Sequence, residues 1–210
     1  MAGKSIDHAF TATGNLGAAS DPTYAGVPSF LRRRFTKDVS GTDAAVWGIP
    51  FDSAVSNRPG ARFGPAAIRR ASMIFDNDPQ YPFGIDLFER MGVVDYGDCL
   101  LDYRLPETAH EAIRAEASAL VAKTGFLLTL GGDHSITWPL LQAHAERHGP
   151  LGLIHFDAHQ DTWPIAIAAD GSQRVDHGSF LIAAVEAGLV DPQRSIPVSY
   201  THLTLPTILL

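Results

Sequence analysis

Apolar residues in this chain fall into short uninterrupted runs, each followed by a polar or glycine-rich turn. Ala44-Ala45-Val46-Trp47-Gly48-Ile49, closed by Pro50, predicts a buried strand, because an apolar run without polar alternation suits an element covered on both faces. Residues 91–96 form a second strand candidate, residues 126–130 a third with no polar face, and residues 151–156 a fourth. Between them the period changes to that of a helix. Ala109, Ile113, Ala117, Leu120 and Val121 share one face of a helix predicted over residues 106–123, with Glu107 and Glu111 near its start and Gly125 just past its end. Shorter helices are expected over residues 66–72, entered through Pro65, over 136–148 and over 177–189. Strands alternating with helices predict an α/β fold on a mostly parallel sheet. The first thirty residues hold no sustained period and read as a loosely ordered arm. No repeat or linker divides the rest.

Composition narrows the class. The chain has 210 residues, 45% apolar and 19% charged, a globular balance rather than that of a disordered chain. Lys and Arg number 16 against 23 Asp and Glu, a net charge of −7 that argues against a nucleic-acid partner. The basic run Arg32-Arg33-Arg34 is too short to reverse that sign. The single cysteine, Cys99, rules out an intrachain disulfide and suits a reducing, cytoplasmic setting. No signal-peptide core lies in the first residues, and no apolar stretch approaches the ~18 residues that span a bilayer, so no membrane role is expected.

Two of the strand candidates end in polar clusters. Residues 126–130 run into Gly131-Gly132-Asp133-His134-Ser135, and residues 151–156 run into Asp157-Ala158-His159-Gln160-Asp161. Ligand sites of open α/β sheets lie beyond the carboxyl ends of strands, where both clusters would fall. Asp157, His159 and Asp161 alternate, so an extended backbone would aim all three to one side. Carboxylates mixed with imidazoles suit Mn, Fe, Co, Ni or Zn, and a carboxylate can bridge two ions, which permits a two-metal hydrolytic centre. The plainer reading makes Asp133 a helix cap, Asp157 a turn residue and His134 a core histidine. His155 is a candidate for supporting the cluster from behind. His8, His110, His144, His148 and His202 read as surface or helix-face residues, and Cys99 as a small buried side chain.

GGDHS at 131–135 and HFDAHQD at 155–161 resemble the metal-binding signatures of the ureohydrolases, the arginase–agmatinase family. Further stretches agree: residues 48–52, 57–65, 81–84, 94–98 and 176–180, so the resemblance runs in order from about Asp21 to Ile196. It implies a three-layer α-β-α, arginase-like fold. By motif it implies that His134, Asp157 and Asp161 hold one Mn²⁺, and that Asp157 and His159 hold another. His177 matches the family histidine beside the substrate, placed there for proton transfer or guanidinium contact. The implied reaction is hydrolysis of a small cationic guanidino substrate by a cytoplasmic enzyme that forms homo-oligomers when complete. Arginases carry an Asn- and Ser-bearing loop ahead of that histidine. Residues 171–176 do not follow it, so agmatine, cleaved to putrescine and urea, is the expected substrate, with 4-guanidinobutanoate as the alternative.

The chain departs from the family pattern in one respect. The family site also draws two aspartates from a later Asp-x-Asp motif, and no such spacing follows Asp161. Asp76-Asn77-Asp78 lies upstream in a proline-rich loop and reads as turn chemistry. Residues 197–210 carry no Asp, Glu, Lys or Arg and read as a non-native tail, residues 1–196 being the N-terminal part of a single domain. An incomplete sheet, with strand edges unpaired and poor folding, is expected on that reading, and a non-catalytic metal-binding fragment is the alternative from another class.

Overall fold

The computed structural model describes residues 8–17, 22–75 and 79–199. The expected turn at 76–78, the residues of the tail from 200 onward and His202 lie outside them. In chain order the elements begin with α1 (His8–Thr11), β1 (Arg34–Phe35), β2 (Ala44–Gly48), α2 (Gly64–Ser72) and β3 (Val93–Asp98). Next come α3 (Ala109–Val121), β4 (Phe126–Leu130), α4 (Thr137–His148) and β5 (Ile154–Asp157). The chain continues through β6 (Ala166–Ile167), β7 (Gln173–Arg174), α5 (Phe180–Glu186) and β8 (Ile196–Ser199). Its described residues divide into two compact units, the first from those within 1–50, 62–100 and 120–132, the second from those within 51–61, 101–119 and 133–199.

The first unit is built on a sheet whose strand order among the described residues is β1-β3-β2-β4, every pairing parallel. β2 sits inside it and all five of its residues are buried, as its unbroken apolar run requires. Ala44, Val46, Phe88, Val93 and Leu130 form one core cluster. β4 departs from expectation. It is the last strand of this sheet among the described residues, and Phe126 at its start is 59% exposed rather than covered. Gly64 opens α2 where a Cβ would stand 2.6 Å from the Gly131 carbonyl oxygen, so only glycine permits this approach. Pro65 follows it in the first helical turn, where its missing N–H costs nothing.

A buried charge cluster ties α2 to β3. Arg69 donates from Nε to Asp95 Oδ2 at 2.7 Å, from Nη2 to Asp95 Oδ1 at 3.0 Å and from Nη1 to Asp98 Oδ1 at 2.6 Å. Asp95 also accepts from the backbone N–H groups of Phe30 and Gly97. The family-like stretch at 94–98 is therefore structural: its carboxylates hold a helix.

In the second unit β5 pairs in parallel with β8 over Ile154–Asp157 and Ile196–Ser199, while β6 and β7 form a short antiparallel pair. α4 and α5 share a core cluster of Leu141, Phe180, Leu181, Ala184 and Val190. Pro139 is accommodated because it lies in the first turn of α4, where no backbone donor is needed. The helix expected over 177–189 is shorter, Phe180–Glu186, since Ser179 and Asp176 form a turn ahead of it. The five residues assigned to one face of the 106–123 helix are all buried, with its first turn a 3₁₀ segment, Pro106–Thr108. The architecture is an arginase-like α/β fold with mostly parallel strand pairing. Among the described residues no helix is long and apolar enough to cross a membrane.

Candidate metal centre

The centre lies in the second unit, at the end of β5 and in the turn before α4. Asp133 opens that turn. Its Oδ1 accepts from Ser135 N at 2.9 Å, its Oδ2 accepts from Ala54 N at 2.9 Å, and its own N–H donates to Phe51 O at 2.7 Å. It caps the 3₁₀ segment His134–Ile136, the plainer of its two sequence readings, and so fixes the backbone that presents His134.

His134 meets the carboxylates of the other segment. Its Nδ1 is 3.0 Å from Asp157 Oδ2 and 3.0 Å from Asp161 Oδ2. Asp157 is the last residue of β5, and there the extended backbone stops. Its Oδ1 accepts from His159 N at 2.8 Å, closing a turn, and Asp161 then adopts a left-handed φ of +52°. The alternation expected from 157 to 161 is thus broken by the turn. Asp157 and Asp161 come together, whereas His159 is 81% exposed with its Nδ1 3.4 Å from Asp157 Oδ1.

His155, one strand repeat before Asp157, points to the same face and is 5% exposed. Its Nε2 stands 3.7 Å from Asp157 Oδ2 and 3.6 Å from Asp161 Oδ2. Among the described residues neither ring nitrogen has a hydrogen-bond partner, nor does Asp161 Oδ2. One ligand atom from each of His134, His155, Asp157 and Asp161 lies within 4.8 Å of all the others. Buried polar atoms without partners are costly, and a cation offsets that cost for imidazole and carboxylate together. The donor set therefore fits a divalent metal ion.

The electrostatics agree. Burial disfavours charge on His134, but Asp161 and Asp157 outweigh it and raise its pKa above the ordinary imidazole value. Burial and the neighbouring His134 push His155 the other way. Asp157 is opposed by its burial, yet the His159 amide and the surrounding imidazoles hold its pKa below the usual carboxylate range.

His177 precedes α5 in the turn that Asp176 and Ser179 close. Its Nε2 accepts from Ser56 N at 3.1 Å, which places its ring proton on Nδ1, and its ring lies 6.5 Å from that of Trp163. Sequence reasoning gave Ser56 and Ala54 no role, since backbone donors carry no side-chain signature. A cavity of about 620 Å³ adjoins this region and is lined by Ala54, Glu107, His110, Glu111, Arg174 and Asp176 among others. His110, on α3, is half-buried, with its Nε2 3.1 Å from Ser135 Oγ. Cys99 is buried, as expected.

The model of the arginase family matches residues 42–203. The agmatinase of Chromobacterium violaceum is 47% identical over 193 residues, covering 91% of this chain and 59% of that protein. A crystal structure of a hypothetical agmatinase from Burkholderia thailandensis superposes with a TM-score of 0.85 at 42% identity, over 95% of this chain and 64% of that one. Trypanosoma cruzi formiminoglutamase, solved with Mn²⁺, superposes with a TM-score of 0.64 at 25% identity, over 74% of this chain and 52% of that one. The chain thus spans somewhat more than half the length of these relatives. A family model matching residues 42–203, a relative 47% identical and a superposition at a TM-score of 0.85 together establish that the chain belongs to the arginase family.

Proposed function

We propose that this chain carries metal-binding residues and the substrate-side histidine of an agmatinase-type ureohydrolase, which cleaves the guanidinium group of agmatine to putrescine and urea. The observation that carries this reading is the meeting of His134 with Asp157 and Asp161, from two segments separated by more than a helix, around buried polar atoms that have no hydrogen-bond partner among the described residues and that a cation would satisfy. His134, Asp157 and Asp161 would hold one ion, and Asp157 with His159 a second. The exposed His159 ring is free to turn toward its neighbour's Oδ1. Mn²⁺ is the ion assigned, supported by the manganese-bound relative, and the cytoplasm is the expected compartment.

Such ions, when bound, supply a hydroxide near neutral pH and positive charge for a tetrahedral centre. The protein's own contributions are separable from that. Asp157 and Asp161 position the ions, and Asp133 holds His134 in place through its two backbone contacts. His177, its Nε2 held by the Ser56 amide, would donate a hydrogen bond from Nδ1–H to the departing amine nitrogen as the C–N bond breaks, and the proton that nitrogen takes up comes from the attacking water oxygen. The water oxygen ends on the guanidinium carbon, two nitrogens remain in urea, and the third leaves with putrescine. The agmatinase relatives favour agmatine over 4-guanidinobutanoate as the substrate.

The test is a chimera in which this chain replaces the matching 193 residues of the Chromobacterium agmatinase, assayed for urea release with Mn²⁺ beside the 210-residue protein itself. Agmatine turnover by the folded chimera, lost on Asp161→Ala, is the expected result. A preference for 4-guanidinobutanoate would support the guanidino-acid alternative. A folded chimera inactive on both would overturn the reading.

A further inference from the structure

We infer that His144 and His148 form a second metal site, apart from the centre above, in which two imidazoles of α4 chelate one late first-row divalent ion: Zn²⁺, Ni²⁺ or Cu²⁺. The inference is independent of the metal-centre reading, because it uses none of that centre's residues. Three observations carry it.

The first is register. His144 and His148 stand four residues apart at the end of α4, so their side chains leave one face of the helix with Cβ atoms about 5–6 Å apart. Two histidines at this spacing on a helix offer one ion two ligands. Their rings are stacked, with 6.3 Å between centroids and 23° between planes. Rings sharing one ion, each bound at ~2.1 Å, have centroids roughly 5 Å apart, a difference that the exposed His148 closes by turning about its side-chain bonds. The second is availability. Among the described residues neither ring has a hydrogen bond or an ion pair. Glu146, between them in sequence, is engaged elsewhere: it accepts from Arg114 Nη1 at 2.6 Å and from Ser118 Oγ at 3.0 Å. Burial first, then the charges of His148 and Arg147, lower the His144 pKa, so its ring is neutral and able to ligate near pH 7. The third is the setting. His148 is the last residue of α4, where the final carbonyls leave a partial negative charge that favours a cation. Two imidazoles without a carboxylate suit Zn²⁺, Ni²⁺ and Cu²⁺ and hold Mn²⁺ weakly, unlike the carboxylate-bearing centre around Asp157 and Asp161.

The experiment titrates Zn²⁺ by calorimetry, near neutral pH, into the untagged 210-residue protein and its variants His144→Gln, His148→Gln and Asp161→Ala. A fourth variant combines His148→Gln with Glu146→His, which keeps the number of histidines but moves one off the shared face. One binding event is expected to weaken about tenfold or more in His144→Gln and in His148→Gln, because a single imidazole loses the gain of a linked second ligand. That event is expected to survive in Asp161→Ala and to stay weak in the fourth variant. An event unchanged in both single-histidine variants would overturn the site. So would two separate weak events, each lost with one histidine, or full affinity restored by Glu146→His. Loss of all Zn²⁺ binding in Asp161→Ala, with His148→Gln unaltered, would assign the ion to the other centre alone and overturn this inference while leaving that centre standing. His148 is exposed at the helix end, so its variants keep the test decisive should His144→Gln prevent folding.

Discussion

Arg69 grips Asp95 through two parallel hydrogen bonds, Nε to Oδ2 at 2.7 Å and Nη2 to Oδ1 at 3.0 Å, where neither group is in contact with bulk water. Burial alone would weaken the guanidinium's hold on its proton, but Asp95 and Asp98 reverse that and raise its pKa. Replacing one member strands the other. Arg69→Met is expected to destabilise the fold by about 3–5 kcal/mol, because a buried carboxylate is left with backbone donors only. Denaturant unfolding checks this. Arg69→Met combined with Asp95→Asn is expected to cost less than Arg69→Met alone.

Asp133 is bound at both oxygens by backbone amides, those of Ser135 and Ala54. Asp133→Ala removes both acceptors and is expected to cost about 1–3 kcal/mol per orphaned donor. Asp133→Asn retains one carbonyl oxygen and is expected to fall between. Thermal melts of the two variants, read beside their Mn²⁺ affinity, report whether the turn also sets the position of His134.

A cation that binds only the folded state stabilises it by mass action. Mn²⁺ at about a hundredfold over its dissociation constant is expected to add about 2.7 kcal/mol, reversed by a chelator. His134→Ala and Asp161→Ala are expected to abolish the shift in melting temperature. An unchanged shift in both would place the ion elsewhere.

His144 on α4 has its pKa lowered by burial first and by the nearby His148 and Arg147 charges next. The unfolded chain therefore takes up its proton more readily than the folded one. This residue's share of stability is intact above the unfolded value of about 6.5 and is lost as pH falls below it toward the folded value. His144→Gln is expected to flatten the decline of melting temperature between pH 7 and pH 5. An unaltered slope would assign that decline to other groups.

Much of this architecture is legible in the order of residues. The run Ala44–Ile49 identifies the interior strand, and the helical face from Ala109 to Val121 is buried residue for residue. The meeting of His134 with Asp157 and Asp161 follows from polar clusters at two strand ends. What resisted reading depends on where the backbone turns. The alternation argument covers Asp157 but not His159, because the strand stops at Asp157 and an amide-to-carboxylate turn intervenes. His155 and His159 flank Asp157 symmetrically in sequence, yet one faces a dry interior and the other water. Phe126 reads as covered and is exposed, at the start of β4, which is the last strand of its sheet among the described residues.

β5 has two dissimilar sides. His155 and Asp157 hang from one, while Ile154 and Phe156 on the other are 65% and 75% exposed. A four-residue ribbon bare along its back is a compliant mount for side chains that must hold a fixed spacing. Any apolar surface seated on Ile154 and Phe156 would stiffen that mount from behind, so the grip on an ion would tighten without a single new ligand.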